Sequence, residues 1–262
     1  SIVGISAEDF PELPFIDHTE EISIPALVLK SMIKQTLDAI SENDSKPVHT
    51  GTLFDIKNGE IKLVSVDGYR LALRKERIDY LGEASFVVPK KTLMEVIKLI
   101  PDITDNISLM VADRHIIIKI DNYSVVSRLL DGEFLDYNAA IPSDFKTESK
   151  INTREFINST ERVSLLVTDR LKSPIRCVIS EDEIKMSCST SIGRAHDEFN
   201  CPINGESVEI GFNNRYLLEA LKNTDTDEIL IQLSGPLSPM KILPSSGDSF
   251  VFLVLPVRLK SE

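Results

Sequence analysis

The stretch Phe250-Val251-Phe252-Leu253-Val254-Leu255-Pro256-Val257-Arg258-Leu259 stands three residues before the end of the chain. Its apolar run, rich in β-branched and aromatic residues, predicts a buried strand. Pro256 cannot donate a hydrogen bond to a neighbouring strand, so pairing should end there. Val257 and Leu259 are nevertheless apolar, whereas a free C-terminus is normally polar and frayed. We expect this tail either to complete a terminal core strand or to pack at the surface, where it can wall a groove.

The order of elements before this strand occurs twice. In the first half the pattern predicts a strand at 21–25, a helix from 26 to about 42, strands at 51–56, 61–66, 69–73 and 85–88, a helix from 90 to 100, and strands at 107–111, 115–120 and 124–130. In the second half it predicts a helix at 151–166, strands at 175–180, 183–187, 195–200 and 208–211, a helix capped by Asn213, and strands at 229–233, 240–243 and 250–255. Residues 138–150 are interpreted as the crossing between the halves.

Leu53 and Ile175 hold matching places in the two halves, which gives an internal repeat of about 122 residues. The sequence therefore predicts an α+β fold with two tandem copies of one domain. Each copy is expected to have two helices packed on antiparallel sheets.

The composition limits the class of protein. The chain has 262 residues, 42% of them apolar, and no apolar run long enough to span a bilayer. Its three cysteines form no Cys-x-x-Cys pair, which predicts a reducing cytosol without a disulfide framework. The net charge of −12 argues against nucleic-acid binding unless the basic residues share one face.

Such a basic face is a specific expectation. If all helices lie on one side of the sheets, their basic residues cluster there; otherwise these are scattered, solvated side chains. The candidates are Lys30, Lys34, Lys90, Lys91, Lys98, Arg154, Arg162, Arg215 and Lys222.

The sequence shows no recognisable catalytic or cofactor-binding motif. The sequence has no nucleophile-elbow, P-loop, zinc-protease or dinucleotide-binding motif. The four histidines lie far apart, so no metal or other cofactor is expected. Asp67 before Gly68 is interpreted as a turn residue more readily than as a catalytic carboxylate. A two-domain α+β enzyme with a cleft between the copies stays open as the alternative.

Four segments together resemble the bacterial sliding-clamp family, the beta subunit of DNA polymerase III. The segment 65–72, Ser-Val-Asp-Gly-Tyr-Arg-Leu-Ala, is similar to the family's Ala-Thr-Asp-Gly-His-Arg-Leu-Ala. Residues 127–137 resemble its stretch ending Gly-x-Phe-Pro-Asp-Tyr. Residues 211–217 match Gly-Phe-Asn-x-x-Tyr-Leu, and 255–259 match its Met-Pro-Met/Val-Arg-Leu terminus. The two-domain trimeric clamp of eukaryotes and archaea is the alternative within the same functional class, but these motifs belong to the bacterial type.

The resemblance implies a domain arrangement. The family protein has three copies of the domain, and this chain is expected to hold the second at 21–142 and the third at 143–262. Residues 1–20 are interpreted as the linker from a missing first domain. Family members form a head-to-tail dimeric ring around duplex DNA, held topologically and without base readout. A chain without the first domain is not expected to close that ring.

The resemblance also implies a non-enzymatic docking function. Short Gln-Leu-x-Leu-Phe-like peptides of the DNA polymerase III alpha subunit, the clamp loader delta subunit, other polymerases and repair proteins bind a groove between the second and third domains. Carried over by position, the groove residues are Lys46, His49, Val66, Gly68, Tyr69, Arg70, Leu71, Leu135, Ala140, Asn213, Tyr216, Leu237, Pro239, Leu253, Leu255, Pro256, Val257 and Arg258.

This sequence departs from the family pattern at several groove positions. Leu135 replaces the proline of Phe-Pro-Asp-Tyr, and His49 stands at a position that is commonly apolar. Val66 and Tyr69 replace threonine and histidine, and Leu255 replaces the terminal methionine. The shape of the pocket and its affinity for peptides are expected to differ accordingly.

Overall fold

The structure is a computed structural model that describes residues 2–9, 21–43, 45–102, 105–112, 114–168, 171 and 173–259. Most of the predicted linker, residues 10–20, lies outside this part of the chain, as do residues 260–262. No helix among the described residues is long and apolar enough to cross a membrane.

The described residues form five α-helices and seventeen β-strands. The helices are α1 (Ala26–Leu37), α2 (Lys90–Leu99), α3 (Tyr137–Ala140), α4 (Thr153–Ser164) and α5 (Asn214–Lys222). The strands of the first half are β1 (Glu21–Pro25), β2 (Gly51–Lys57), β3 (Glu60–Val66), β4 (Arg70–Arg77), β5 (Ala84–Pro89), β6 (Asn106–Val111), β7 (His115–Ile120) and β8 (Tyr123–Arg128). Those of the second half are β9 (Thr147–Asn152), β10 (Ile175–Ser180), β11 (Glu183–Thr190), β12 (Gly193–Asn200), β13 (Ile203–Gly205), β14 (Val208–Phe212), β15 (Glu228–Leu233), β16 (Met240–Pro244) and β17 (Phe250–Val254).

The two halves share one architecture. The strands form a four-stranded sheet β1-β6-β7-β8, a four-stranded sheet β12-β11-β10-β14 and a nine-stranded sheet β13-β9-β15-β16-β17-β4-β3-β2-β5. Read in order, β9-β15-β16-β17 repeats β1-β6-β7-β8, and β12-β11-β10-β14 repeats β4-β3-β2-β5. The predicted α+β class with two tandem copies is therefore confirmed.

One strand pair joins the two copies. β17 lies antiparallel to β4, with Leu253 opposite Leu71 and Phe252 opposite Ala72. Because side chains alternate along a strand, Leu71 and Leu253 point to one face of the nine-stranded sheet, and Ala72 and Phe252 to the other. The C-terminal stretch is thus a core strand that makes one continuous sheet from two domains.

The four long helices lie on a single face of the molecule. α2 packs on α1, and α5 on α4. The ends of α1 and α5 meet where Gln35 Nε2 donates to the Asn223 carbonyl at 2.8 Å. Both α1 and α5 also contact the β4–β17 seam on the side of Ala72 and Phe252. The helices therefore form one row, α2-α1-α5-α4, here called the helix row.

Three apolar clusters hold these layers together. Each copy has its own core between its helices and sheets, with Phe54 central in the first and Phe156 in the second. A smaller cluster lies on the opposite face of the seam and contains Leu71, Leu253 and Val48. This outer cluster gives the seam an apolar surface away from the helices.

The start of the second copy corrects the sequence interpretation. The predicted helix at 151–166 and the crossing at 138–150 are wrong in part, because α3 and β9 precede a helix that begins only at Thr153. The inward residues of β9 include Thr147 and Ser149, whose hydroxyls donate to the carbonyls of Glu206 at 2.6 Å and Pro202 at 2.8 Å. Buried hydroxyl groups satisfied in this way hide the apolar alternation by which a strand is recognised.

Candidate functional site

A cavity of about 640 Å³ opens at the seam between the copies, on the face opposite the helix row. It brings together most of the predicted groove residues: Lys46, His49, Val66, Gly68, Arg70, Leu71, Leu135, Ala140, Leu237, Pro239, Leu253, Leu255 and Pro256. Ser41, Asn43, Ser45 and Asp67 line it as well, and sequence reasoning missed them. Ser41, Asn43 and Ser45 carried a signal only as the polar end of a helix, which does not indicate what they line in the folded chain.

The cavity has a buried apolar floor and an exposed apolar rim. Leu71 and Leu253, at 4% and 2% exposure, form the floor at the point where β4 pairs with β17. Leu135, Leu255 and Leu237 stand at the rim, exposed by 44%, 38% and 81%. Exposed leucines around a buried apolar floor are typical of a surface that binds apolar side chains.

The C-terminal tail is held in the wall of this groove by its backbone. The Leu255 N–H donates to the Tyr69 carbonyl at 2.9 Å, and the Val257 N–H donates to the Gly211 carbonyl at 2.8 Å. Gly211 permits this approach, since a Cβ there would lie 2.7 Å from the Val257 oxygen and 2.7 Å from Leu259 Cδ2. The tail is therefore attached to both copies.

Arg70 links the copies beneath the groove. Its Nε donates to Asp67 Oδ2 at 2.9 Å, and its other nitrogens donate to Glu219 of α5 and to the Asp38 carbonyl after α1. Burial acts to lower the pKa of Arg70, but the two carboxylates outweigh it and raise that pKa above its ordinary value. Arg70 lines the cavity, yet its charge is already occupied by protein partners.

Five predicted groove residues lie outside the cavity lining: Tyr69, Asn213, Tyr216, Val257 and Arg258. Tyr69 and Tyr216 stack with ring centroids 5.9 Å apart, and the Arg70 guanidinium lies 4.4 Å from the Tyr216 centroid. The Asn213 side chain accepts from the backbone N–H groups of Arg215 and Tyr216, and so begins α5. Because Tyr69 bonds the tail at Leu255, this tyrosine patch adjoins the cavity.

His49 stands at the other end of the groove. Its ring packs edge-on against Phe134 with centroids 5.3 Å apart. Burial, and then the nearby charge of Lys46, lower the pKa of His49 below its ordinary value of 6.5. The imidazole is therefore held in its neutral form in the empty groove near neutral pH.

The predicted basic residues lie on or beside the four long helices, but most are paired with acids. The pairs within the described residues are Lys30–Asp102, Lys90–Glu42, Lys98–Glu95, Arg162–Asp197, Arg215–Glu219 and Lys222–Glu161. Lys34, Lys91 and Arg154 have no ion pair in the part of the chain that the structure describes. Lys98–Glu95 and Arg215–Glu219 each lie within one helical turn, but the other acids come from distant segments, such as Asp197 of β12, and sequence reasoning did not anticipate these pairs.

Other polar clusters do not form a metal site. Among the described residues, no group of three or more His, Cys, Asp or Glu side chains could hold a metal ion. All three cysteines are free and buried.

Comparison with known proteins agrees with this geometry. The family model for the central domain of the DNA polymerase III beta subunit matches residues 23–136, and the model for its C-terminal domain matches residues 138–258. The beta sliding clamp of Bacillus subtilis (strain 168) is 33% identical over 260 residues, which are 97% of this chain and 69% of that protein. The beta sliding clamp of Staphylococcus aureus (strain Mu50) is 30% identical and covered to the same 69%.

Solved structures are similar over nearly the whole chain. The DNA polymerase sliding clamp of Bacillus subtilis superposes with a TM-score of 0.94 at 32% identity, covering 98% of this chain and 69% of that one. The DNA polymerase III beta subunit of Thermotoga maritima gives a TM-score of 0.91 at 26% identity, covering 98% and 70%. With both domain models matched in order and relatives above 30% identity, the chain belongs to the beta sliding clamp family of DNA polymerase III.

Proposed function

We propose that this chain serves as a docking and processivity platform that binds short Gln-Leu-x-Leu-Phe-type peptides in the seam groove. The observation that carries the proposal is the apolar groove at the β4–β17 pair, with the C-terminal tail in its wall. The proposed partners are the polymerase alpha subunit, the clamp loader delta subunit, and other polymerases and repair proteins with such motifs.

The groove suits the apolar side chains of a bound peptide. Leu71 and Leu253 give a preformed apolar floor, so a peptide leucine or phenylalanine can be buried without disrupting the core. Leu135, Leu237 and Leu255 are already exposed, and covering them adds apolar burial at about 25 cal/mol per Å². A few such anchors are expected to carry most of the binding energy.

The test is fluorescence anisotropy with a labelled Gln-Leu-x-Leu-Phe peptide. Wild-type chain should bind saturably, and Leu255→Asp should weaken binding at least about 10-fold, because it places a charge in the apolar wall. Leu81→Asp is the matched control, since Leu81 is 87% exposed and lies outside the groove lining. Unchanged affinity of a folded Leu255→Asp variant would refute the groove assignment.

Duplex DNA is the second proposed partner, held topologically on the helix row. The arrangement supports a weak attraction, because paired cations offer little to phosphates while Lys34, Lys91 and Arg154 are available. A protein that slides along DNA requires few strong phosphate contacts. An acidic chain whose helix-row cations are mostly paired with acids is therefore compatible with this role.

Ring assembly is proposed through the free edges of the sheets. β17 pairs with β4 inside the chain, and the equivalent strands β8 and β12 are sheet edges among the described residues. Beside β12, Leu165 and Ile192 are exposed by 80% and 67%. An apolar patch at an unpaired edge favours addition of a further strand, here from a first domain of another subunit.

Family membership confirms that the chain is not an enzyme, and the alternative of an α+β enzyme with an inter-domain cleft is withdrawn. The domain limits 21–142 and 143–262 remain proposals, as does a cytoplasmic location, which suits a replication protein.

A further inference from the structure

Among the described residues, the groove contains a positive charge that has no ion-pair partner. Lys46 is the N-cap of the 3-10 helix Pro47–Thr50, His49 lies within that helix, and both residues line the cavity. Lys46 is exposed and has no ion pair within the described residues. The other charged lining residues, Asp67 and Arg70, bind each other, and Arg70 also binds Glu219. Within the described part of the chain, Lys46 is therefore the charged lining residue that has no ion pair, in a chain whose net charge is −12.

His49 adds an unused hydrogen-bonding group at the same place. Its backbone N–H and carbonyl are bonded to Lys46 and Ser41, but neither ring nitrogen has a partner among the described residues. The ring is half-buried against Phe134 and borders the cavity. A polar atom in this position gains from a ligand that can hydrogen-bond to it.

We infer that Lys46 and His49 make this groove select docking peptides that carry an aspartate or glutamate beside their apolar anchors. The inference rests on the proposed docking function and names the chemistry of its partner. The peptide carboxylate pairs with the Lys46 ammonium and accepts a hydrogen bond from a His49 ring N–H. An amide in the same place can accept the hydrogen bond from His49, but it cannot form the ion pair with Lys46.

Such a complex has a pH signature. Burial and Lys46 lower the pKa of free His49, and a carboxylate between the two groups opposes the effect of Lys46. Binding of an acidic peptide then takes up a proton, so its affinity rises as pH falls from about 8 to about 6. Gly132 lies against Val48 of this 3-10 helix, and its chain neighbours are Glu133 and Asp131, which pairs with Arg128. The charged groups in the groove itself are Lys46, Asp67 and Arg70. Their charges act on the Asp peptide but not on its Asn twin, so the Lys46→Gln and His49→Leu variants are needed to isolate the effect of Lys46 and His49.

The experiment compares three matched pairs of labelled Gln-Leu-x-Leu-Phe peptides. Each pair differs by Asp or Asn at one position: before the glutamine, between the anchors, or after the phenylalanine. On wild-type chain, at least one Asp peptide should bind about 3- to 5-fold tighter than its Asn twin, the range of a partly exposed ion pair. Lys46→Gln should bring that ratio to one. Lys119→Gln, which removes an exposed lysine far along the chain on β7, should leave it unchanged.

His49→Leu supplies the second readout and restores an apolar residue at the position. It should abolish the rise of the Asp-to-Asn ratio between about pH 8 and about pH 6. Equal affinity within every pair, or a preference that survives Lys46→Gln, would overturn the inference while docking itself stands. A pH dependence that persists in His49→Leu would show that His49 does not take part in recognising the carboxylate. Failure of all six peptides to bind would instead overturn the docking function.

Discussion

At the scale of single residues, the position of the tail depends on a missing side chain. Gly211 lies in β14, and its carbonyl accepts from the Val257 N–H at 2.8 Å. The space where a Cβ would stand is occupied by the Val257 oxygen and the Leu259 side chain. A residue in the second copy thus determines whether Leu255 stands at the rim of a groove whose floor both copies share.

Gly211→Ala should displace the tail and weaken docking-peptide binding about 10-fold, which is about 1.4 kcal/mol, while the circular dichroism spectrum stays that of the wild type. The backbone oxygen 2.7 Å from the new methyl group cannot rotate away as a side chain can. Gly193→Ala is the control, because a Cβ there meets only Leu166 Cδ1 at 3.8 Å. Anisotropy titration measures the peptide affinity of both variants. A wild-type affinity for Gly211→Ala would show that the tail does not form part of the groove wall.

At the scale of elements, the seam depends on what β4 presents to the helices. Arg74 of β4 is buried, and its Nε donates to Gln35 of α1 at 2.7 Å. Its Nη1 donates to the Ser249 carbonyl, just before β17, at 2.8 Å. One side chain therefore links α1, β4 and the strand that joins the two copies.

Arg74→Leu should lower the free energy of unfolding by about 2–3 kcal/mol, because the buried Gln35 oxygen and Ser249 carbonyl lose a charged donor. Urea denaturation followed by circular dichroism measures the loss. Arg77→Leu, at the exposed end of the same strand, should change it by less than about 0.5 kcal/mol. Equal effects of the two substitutions would mean that the network under the seam contributes nothing specific.

At the scale of the whole molecule, the two faces of the nine-stranded sheet differ in what lies on them. The helix row covers the face of Ala72 and Phe252, and the groove opens on the face of Leu71 and Leu253. A partner bound in the groove and DNA on the helices would therefore not compete for surface.

The 262-residue chain by itself should have the mass of a single chain in solution, because the proposed head-to-tail ring needs a first domain opposite the β12 edge. Light scattering after size exclusion, over a concentration series, measures this. Any weak association through the β12 edge should disappear in Ile192→Lys, since Ile192 is exposed beside that edge. A stable closed ring formed by these residues alone would contradict the proposed assembly.

The sequence by itself determined the elements, the duplication and, through four motifs, the family. Apolar periodicity is a local property, so strands such as β10 and helices such as α5 could be predicted from it. Strand β9 was not predicted, because its inward residues Thr147 and Ser149 are polar and have hydrogen-bond partners only in the folded chain. Most of the candidate groove followed from the resemblance, but not Ser41, Asn43 and Ser45, which meet the rest of the cavity lining only in the folded chain.

Only the tertiary structure decided which groups meet across long distances in the chain. It placed β17 on β4, paired helix cations such as Arg162 and Lys222 with acids from distant segments, and left Lys46 without an ion pair among the described residues. These outcomes depend on which segments pack together, and the charge and polarity of a residue do not specify its partner. Local pattern therefore determines the elements of this clamp, whereas packing between its two copies determines the surfaces that they form.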